Sequence, residues 1–253
     1  MNIYKNILTH FIKGTKQLAV LVDPDKTTRK KLHKICAYAN ENKVDYFFVG
    51  GSIISKGSMS EVIEVIKSYS SIPVILFPGN ASQVERTADA ILFLSLISGR
   101  NPDLLIGQHV QSAPYIKACG LEAISTGYLL IDSGNVTTVQ YVSNTKPIPH
   151  EKEDIAVSTA MAGEMLGLKL IYLEAGSGAI RPVSEAMIKK VRENIAVPLI
   201  VGGGIRTAEK AFENFKAGAD IIVIGNALER NPELMCEIAE TKIKYNQAIT
   251  QIK

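Results

Sequence analysis

The chain has 253 residues, 46% of them apolar and 21% charged, and 28 Lys and Arg against 25 Asp and Glu leave a formal net charge of +3. That composition excludes a disordered or collagen-like chain and is ample for a large core, while the charge excess is too small to point to nucleic acid. No apolar run nears the ~20 residues of a membrane helix, and a chain of about 250 residues has the usual size of an eight-stranded α/β barrel.

Residues 1–16 carry Ile3, Ile7, Leu8, Phe11 and Ile12 at helical spacing. They lack a signal-peptide cleavage pattern and are expected to form a short first helix over one end of the domain. Eight apolar, β-leaning runs follow, at 18–22, 46–49, 74–77, 90–94, 122–125, 170–173, 199–201 and 221–224. Near-continuous apolar runs are the pattern of strands buried on both faces of a parallel sheet. Amphipathic stretches at 29–42, 59–69, 102–118, 155–166, 184–194 and 208–216 alternate with them, as in a parallel βα architecture. No GxGxxG follows the first strand, which weakens a dinucleotide-binding sheet. Composition does not shift along the chain, so the expectation is one (β/α)8 TIM barrel spanning 1–253.

Two connections are irregular. Residues 78–89 (PGNASQVERTAD) leave little room for a third covering helix, which is expected to be missing or replaced by extended chain. Residues 132–154 form a long, polar, β-leaning insertion with two prolines. It is either a tolerated surface loop or a lid or interface. Tyr141 within it is either an interface residue or an aromatic packed on its own loop. Cys36, Cys119 and Cys236 are scattered and form no CxxC, as expected of reduced thiols in a cytoplasmic protein. His10, His33, His109 and His150 show no metal-ligand spacing.

In such barrels the active site is built from loops at the C-terminal strand ends. After the first strand comes Asp23-Pro24-Asp25-Lys26, either a Mg2+ and phosphate locus or a turn with a helix cap. After the second comes Gly50-Gly51-Ser52, either a close approach for phosphate or Mg2+ or a plain turn with Ser52 as cap. After the sixth comes Tyr172-Leu173-Glu174-Ala175-Gly176-Ser177-Gly178, a carboxylate followed by a loop whose amides can face an anion. Glu174 is placed to accept a proton from a substrate hydroxyl, or is a paired carboxylate lining the mouth. After the seventh comes Gly202-Gly203-Gly204-Ile205-Arg206, and after the eighth Gly225-Asn226. Loops seven and eight with a short extra helix form a recurrent phosphate site in barrels, and three successive glycines have little structural reason otherwise.

The set LVDPDK, FVGGS, YLEAGSGA, VPLIVGGGIRT and IVIGNALE, in this order from Leu18 to Leu228, resembles the geranylgeranylglyceryl phosphate synthase family, which includes bacterial heptaprenylglyceryl phosphate synthases. The resemblance implies a prenyltransferase that joins sn-glycerol 1-phosphate to a long prenyl diphosphate, releases diphosphate and uses Mg2+. It implies Mg2+ on Asp23 and Ser52. Tyr172, Leu173, Glu174, Ala175, Gly176, Ser177 and Gly178 would hold glycerol phosphate, with its phosphate on Gly203, Gly204, Gly225 and Asn226. The mechanism expected from the residues themselves has Glu174 take or orient the proton of the attacking hydroxyl, with Lys26 or Arg206 assisting the phosphates. Some bacterial members carry a lysine where this chain has Leu21, so the resemblance is to the branch typified by archaeal enzymes and also found in some bacteria.

A prenyl chain needs an apolar groove, and the missing third helix is where one could open. Phe77, Pro78, Phe93, Leu96 and Ile97 are its candidate walls, or plain core. The implied partners are the two substrates, a membrane met transiently, and further copies of the chain. The competing readings are a sugar-phosphate isomerase, which would need neither Mg2+ nor a groove, and a non-catalytic phosphate- or flavin-binding barrel.

Overall fold

In the computed structural model, residues 2–231 and 233–252 are described. Eight parallel strands close into a barrel in chain order, β1 pairing with β8. They are β1 (Gln17–Val22), β2 (Tyr46–Val49), β3 (Val74–Leu76), β4 (Ala90–Leu96), β5 (Glu122–Leu130), β6 (Leu170–Glu174), β7 (Leu199–Gly202) and β8 (Ile221–Ile224). Every residue of β2, β3, β6, β7 and β8 is buried, which is why these strands read as unbroken apolar runs. Alternate side chains go to two cores. Ala19, Phe48, Leu92, Tyr172 and Ile200 fill the barrel, whereas Val20, Phe47, Leu173 and Val201 pack outward against the helices.

The helices are α1 (Ile3–Lys13), α2 (Arg29–Glu41), α3 (Met59–Tyr69), α4 (Gln108–Cys119), α5 (Thr138–Ser143), α6 (Glu153–Met165), α7 (Glu185–Asn194), α8 (Ala208–Ala217), α9 (Asn226–Arg230) and α10 (Leu234–Ile252). As expected, α1 covers the end of the barrel opposite the active-site loops. Its Ile3 and Ile7 are buried in the inner core, and Glu122 at the start of β5 accepts the Ile3 and Tyr4 amides at 2.7 and 2.9 Å. Residues 77–89, between β3 and β4, contain no helix. Asp89 instead ties this segment back, accepting from the Val74 amide and from Lys67. No described helix is long and apolar enough to cross a membrane.

Two elements depart from the sequence reading. β5 runs on to Leu130 rather than ending at Ser125. Gly127 lies where Ile97, Leu168 and Ile171 converge, and a Cβ there would lie 2.9 Å from the Ile97 and Ile171 terminal methyls, which would have to shift to admit it. The 132–154 insertion carries α5 and one isolated parallel bridge, Ile148 to Ile131, rather than a strand. Thr137 caps that helix by accepting the Gln140 amide, and the cap outweighs the β-branched character of the segment. Tyr141 is 82% exposed and so is not packed on its own loop.

Candidate active site

The C-terminal strand ends open into one cavity of about 380 Å³. Asp23, Ser52, Glu174, Gly176, Ser177, Gly178, Gly203, Gly204, Gly225 and Asn226 all line it, so both expected loci share a single mouth. The other three expected binding residues lie beneath. Tyr172 is in the barrel interior, and Leu173 and Ala175 turn their side chains into the outer core. The alternation of the strand forces this: Glu174 and Tyr172 point inward, so their neighbours cannot. The Ala175 amide is also occupied, donating to the Gly202 carbonyl at 3.1 Å.

Glu174 ends β6 only 6% exposed. Its Oε1 accepts the Gly176 amide at 2.6 Å. Burial raises its pKa to about 7, offset in part by the Tyr172 hydroxyl and the Gly176 amide. The Tyr172 hydroxyl faces the carboxylate but has no partner in hydrogen-bond geometry, and burial beside Glu174 keeps it protonated. A carboxyl that titrates near neutrality can take up a proton from a bound hydroxyl.

The glycine run has a second purpose besides anion binding. A Cβ on Gly202 would lie 2.6 Å from both Glu174 Oε2 and the Tyr172 hydroxyl, and one on Gly203 would lie 2.5 Å from Glu174 Oε1. Gly202 and Gly203 are therefore also the space into which the carboxylate fits, a structural reason that sequence alone does not show, while Gly204 lies against Pro182. Gly203 moreover has φ +83°. Gly203→Ala is expected to cost about 1–3 kcal/mol and to displace Glu174. Thermal unfolding and turnover would register both effects, and a variant with wild-type stability and rate contradicts this placement.

On the opposite rim, Pro24–Lys26 forms one 3-10 turn capped by Asp23, which accepts the Asp25 amide at 3.0 Å. Asp23 thus serves as cap and cavity wall together. Asp25, also at the cavity rim, accepts the amides of Ser55, Lys56 and Gly57 and the Ser55 hydroxyl. Those amides, Gly57 foremost, hold its carboxyl well below the usual range. It staples the loops after β1 and β2 together.

Lys26 Nζ lies 2.9 Å from Asp23 Oδ2 and 3.4 Å from Asn226 Oδ1. Asn226 Nδ2 in turn donates to Ser177 Oγ at 2.6 Å. Asn226 opens α9, the short extra helix expected after β8, with Gly225 before it. Arg206 donates to the Ala179 carbonyl.

Away from this polar rim the cavity becomes apolar. Phe77, Pro78, Ala81, Val84, Phe93 and Leu96 line it where the third helix would lie. Phe77 stacks on Tyr172 at 5.5 Å and meets Tyr128 at 5.9 Å, an aromatic wall where groove and mouth join. Ile97 is not a wall: its terminal methyl faces Gly127 and Gly163, between β5 and α6. The sequence reading missed Leu104, Gln108, His109 and Ser112 from the α4 side, and Val139 and Val142 from α5. Tertiary packing alone brings these segments to the groove. His109 is buried with Nε2 3.2 Å from Ser95 Oγ, its ring edge-on to Phe93 at 4.5 Å, and burial lowers its pKa. Among the described residues, no three His, Cys, Asp or Glu side chains cluster to hold a metal ion by themselves.

The sequence pattern of the PcrB family matches residues 12–242. A geranylgeranylglyceryl phosphate synthase of Chitinophaga pinensis is 55% identical over 238 residues, 94% of either chain. One of Methanosphaera stadtmanae is 43% identical over 240 residues, 95% of this chain and 98% of that one. The crystal structure of (S)-3-O-geranylgeranylglyceryl phosphate synthase from Thermoplasma acidophilum in complex with its substrate sn-glycerol-1-phosphate superposes with a TM-score of 0.91. Identity there is 34%, covering 96% of this chain and 99% of the other. With bacterial and archaeal relatives this similar along nearly its whole length, the chain belongs to the PcrB family, among the geranylgeranylglyceryl phosphate synthases that its motifs resemble.

Proposed function

We propose that the chain transfers the prenyl group of a long prenyl diphosphate, geranylgeranyl diphosphate first, to the 3-hydroxyl of sn-glycerol 1-phosphate. The carrying observation is the junction itself. A buried carboxylate titrating near 7 lies between glycine loops suited to a phosphate and an apolar groove opened by the absent third helix. Neither a sugar-phosphate isomerase nor a flavin barrel makes use of that groove.

The residues divide the work as follows. The Gly176–Gly178, Gly203–Gly204 and Gly225–Asn226 loops take the phosphate of glycerol phosphate through amides and the α9 end. The groove orders the prenyl chain by apolar burial. Its C1 is then directed past Phe77 and Tyr128 toward the mouth. The hydroxyl oxygen forms a bond to C1 as the C1–O bond to diphosphate breaks, and the hydroxyl proton passes to Glu174.

Asp23 and Ser52 would hold Mg2+. Asp23 is the acidic ligand of this pair and, among the described residues, no cluster of three His, Cys, Asp or Glu is at hand, so diphosphate oxygens and water would complete the coordination, an arrangement natural for this ion. A Cβ on the adjoining Gly51 would already lie 3.5 Å from the Asp23 carboxylate, so the glycine leaves open the space beside it. Bound there, Mg2+ offsets the charge of the departing diphosphate.

Chelation with excess EDTA is expected to abolish product formation and added Mg2+ to restore it, read as radiolabelled prenyl transfer. Undiminished transfer in EDTA contradicts the metal assignment. Transient contact with a bilayer, into which the product partitions, belongs to the same proposal. So does self-association, for which the exposed Tyr141 and Val142 offer a surface.

A further inference from the structure

We propose that Lys26, paired with Asp23, is a cation shared between the two phosphate sites that positions both substrates' phosphates. The proposal rests on the prenyl-transfer reading above, which requires a phosphate and a diphosphate to share one mouth.

Such a mouth must offset several negative charges, and Asp23 adds another. Lys26 and Arg206 are the lysine and arginine among its described lining residues. Arg206 donates to the Ala179 carbonyl on the loop after β6, and so lies on one side of the mouth. Lys26 is held between two loci instead. Its Nζ is 2.9 Å from Asp23 on the expected diphosphate side and 3.4 Å from Asn226 on the expected glycerol phosphate side. Through Asn226 it is one further hydrogen bond, of 2.6 Å, from Ser177 in the glycine loop. The line Asp23, Lys26, Asn226, Ser177 thus crosses the mouth from β1 to β8 to β6.

The local sequence suits this role. Asp23 caps the turn, Pro24 opens it with a preset φ, and Asp25 locks it to the neighbouring loop through four hydrogen bonds. The root of Lys26 is therefore rigid. Its side chain is 41% exposed, and an ammonium on a flexible stem can re-aim its three donors. When a cation engages Asp23, the Lys26 ammonium is released from that carboxylate but stays within reach of both anions. Lys26 is a positioning residue in this scheme, because it carries no proton to or from the reacting atoms.

The test is calorimetric titration of the full chain with sn-glycerol 1-phosphate, and separately with inorganic diphosphate plus Mg2+. Wild type, Lys26→Gln and Lys26→Arg are compared. Losing a charge-assisted hydrogen bond is expected to weaken both ligands by about tenfold or more in Lys26→Gln, with an unchanged thermal midpoint. Lys26→Arg is expected to recover most of that loss. In steady-state assays KM should rise for both substrates by more than kcat falls. Binding within twofold of wild type for either ligand in Lys26→Gln overturns the shared-cation assignment. Failure of the wild-type chain to bind either ligand overturns the prenyl-transfer reading instead.

Discussion

Glu174→Gln is expected to slow prenyl transfer by about 10²- to 10⁴-fold, the usual contribution of a positioned general base, while glycerol phosphate binding stays within a few-fold of wild type. The amide keeps the shape of the side chain and its contact with Gly176 but cannot take up the hydroxyl proton. The pH dependence carries the same information. Because burial lifts the carboxyl to about 7, the wild-type rate should rise as pH increases through that value, and the variant's residual rate should lack this limb. Stability runs the other way. The folded chain holds this proton more tightly than the unfolded chain does, with its ordinary value of 4.5. The group's contribution to stability is thus fully present below 4.5 and is lost as pH rises through about 7. Glu174→Gln should therefore gain stability relative to wild type at pH above about 7, as sites that hold an isolated buried charge often do. Turnover near wild type in the variant contradicts the assignment of Glu174 as base.

The second large effect is expected at the opposite end of the barrel. Asp220, at the foot of β8, is 6% exposed. It accepts from Lys16 at 3.3 Å, from Arg192 at 3.0 Å and from the Leu199 amide at 2.9 Å. It thereby joins the β1, β7 and β8 feet to α7. Asp220→Ala leaves two partly buried cations and a buried amide without this partner. Breaking a buried pair from one side costs about 3–5 kcal/mol, which in a domain of this size lowers the thermal midpoint by roughly 10 °C. The mouth lies at the other end of the barrel, so the folded variant should retain wild-type KM values at low temperature. A midpoint shift below about 2 °C contradicts this reading of Asp220.

The barrel was legible in the sequence because a parallel strand buried on both faces must be apolar throughout, and the eight runs stand out for that reason. The absent third helix was equally legible, since residues 78–89 cannot both turn and cover a strand. What stayed hidden depends on partners remote in the chain. The apolar run at 122–125 stops short of β5, whose continuation through Gly127 shows only where Ile97 and Ile171 converge on it. α5 depends on the Thr137 cap winning over β-branched neighbours. The glycine triplet reads as an anion cradle, but the contact of Gly202 and Gly203 with Glu174 needs β6 beside β7. Asp25 reads like Asp23, and only the loop after β2 shows that it is a staple. The groove wall from α4 and α5 has no local signature, because His109 looks like an ordinary helix residue, and Val139 and Val142 like residues of a β-leaning loop, until the segments meet.

The most direct test of the prenyl-transfer assignment is product analysis with the purified chain and Mg2+. sn-Glycerol 1-phosphate and its enantiomer would each be offered with prenyl diphosphates of several lengths. The expected result is an ether-linked prenylglyceryl phosphate from sn-glycerol 1-phosphate, formed fastest with geranylgeranyl diphosphate and far more slowly from the enantiomer. Absence of a prenylated product with every chain length would contradict it.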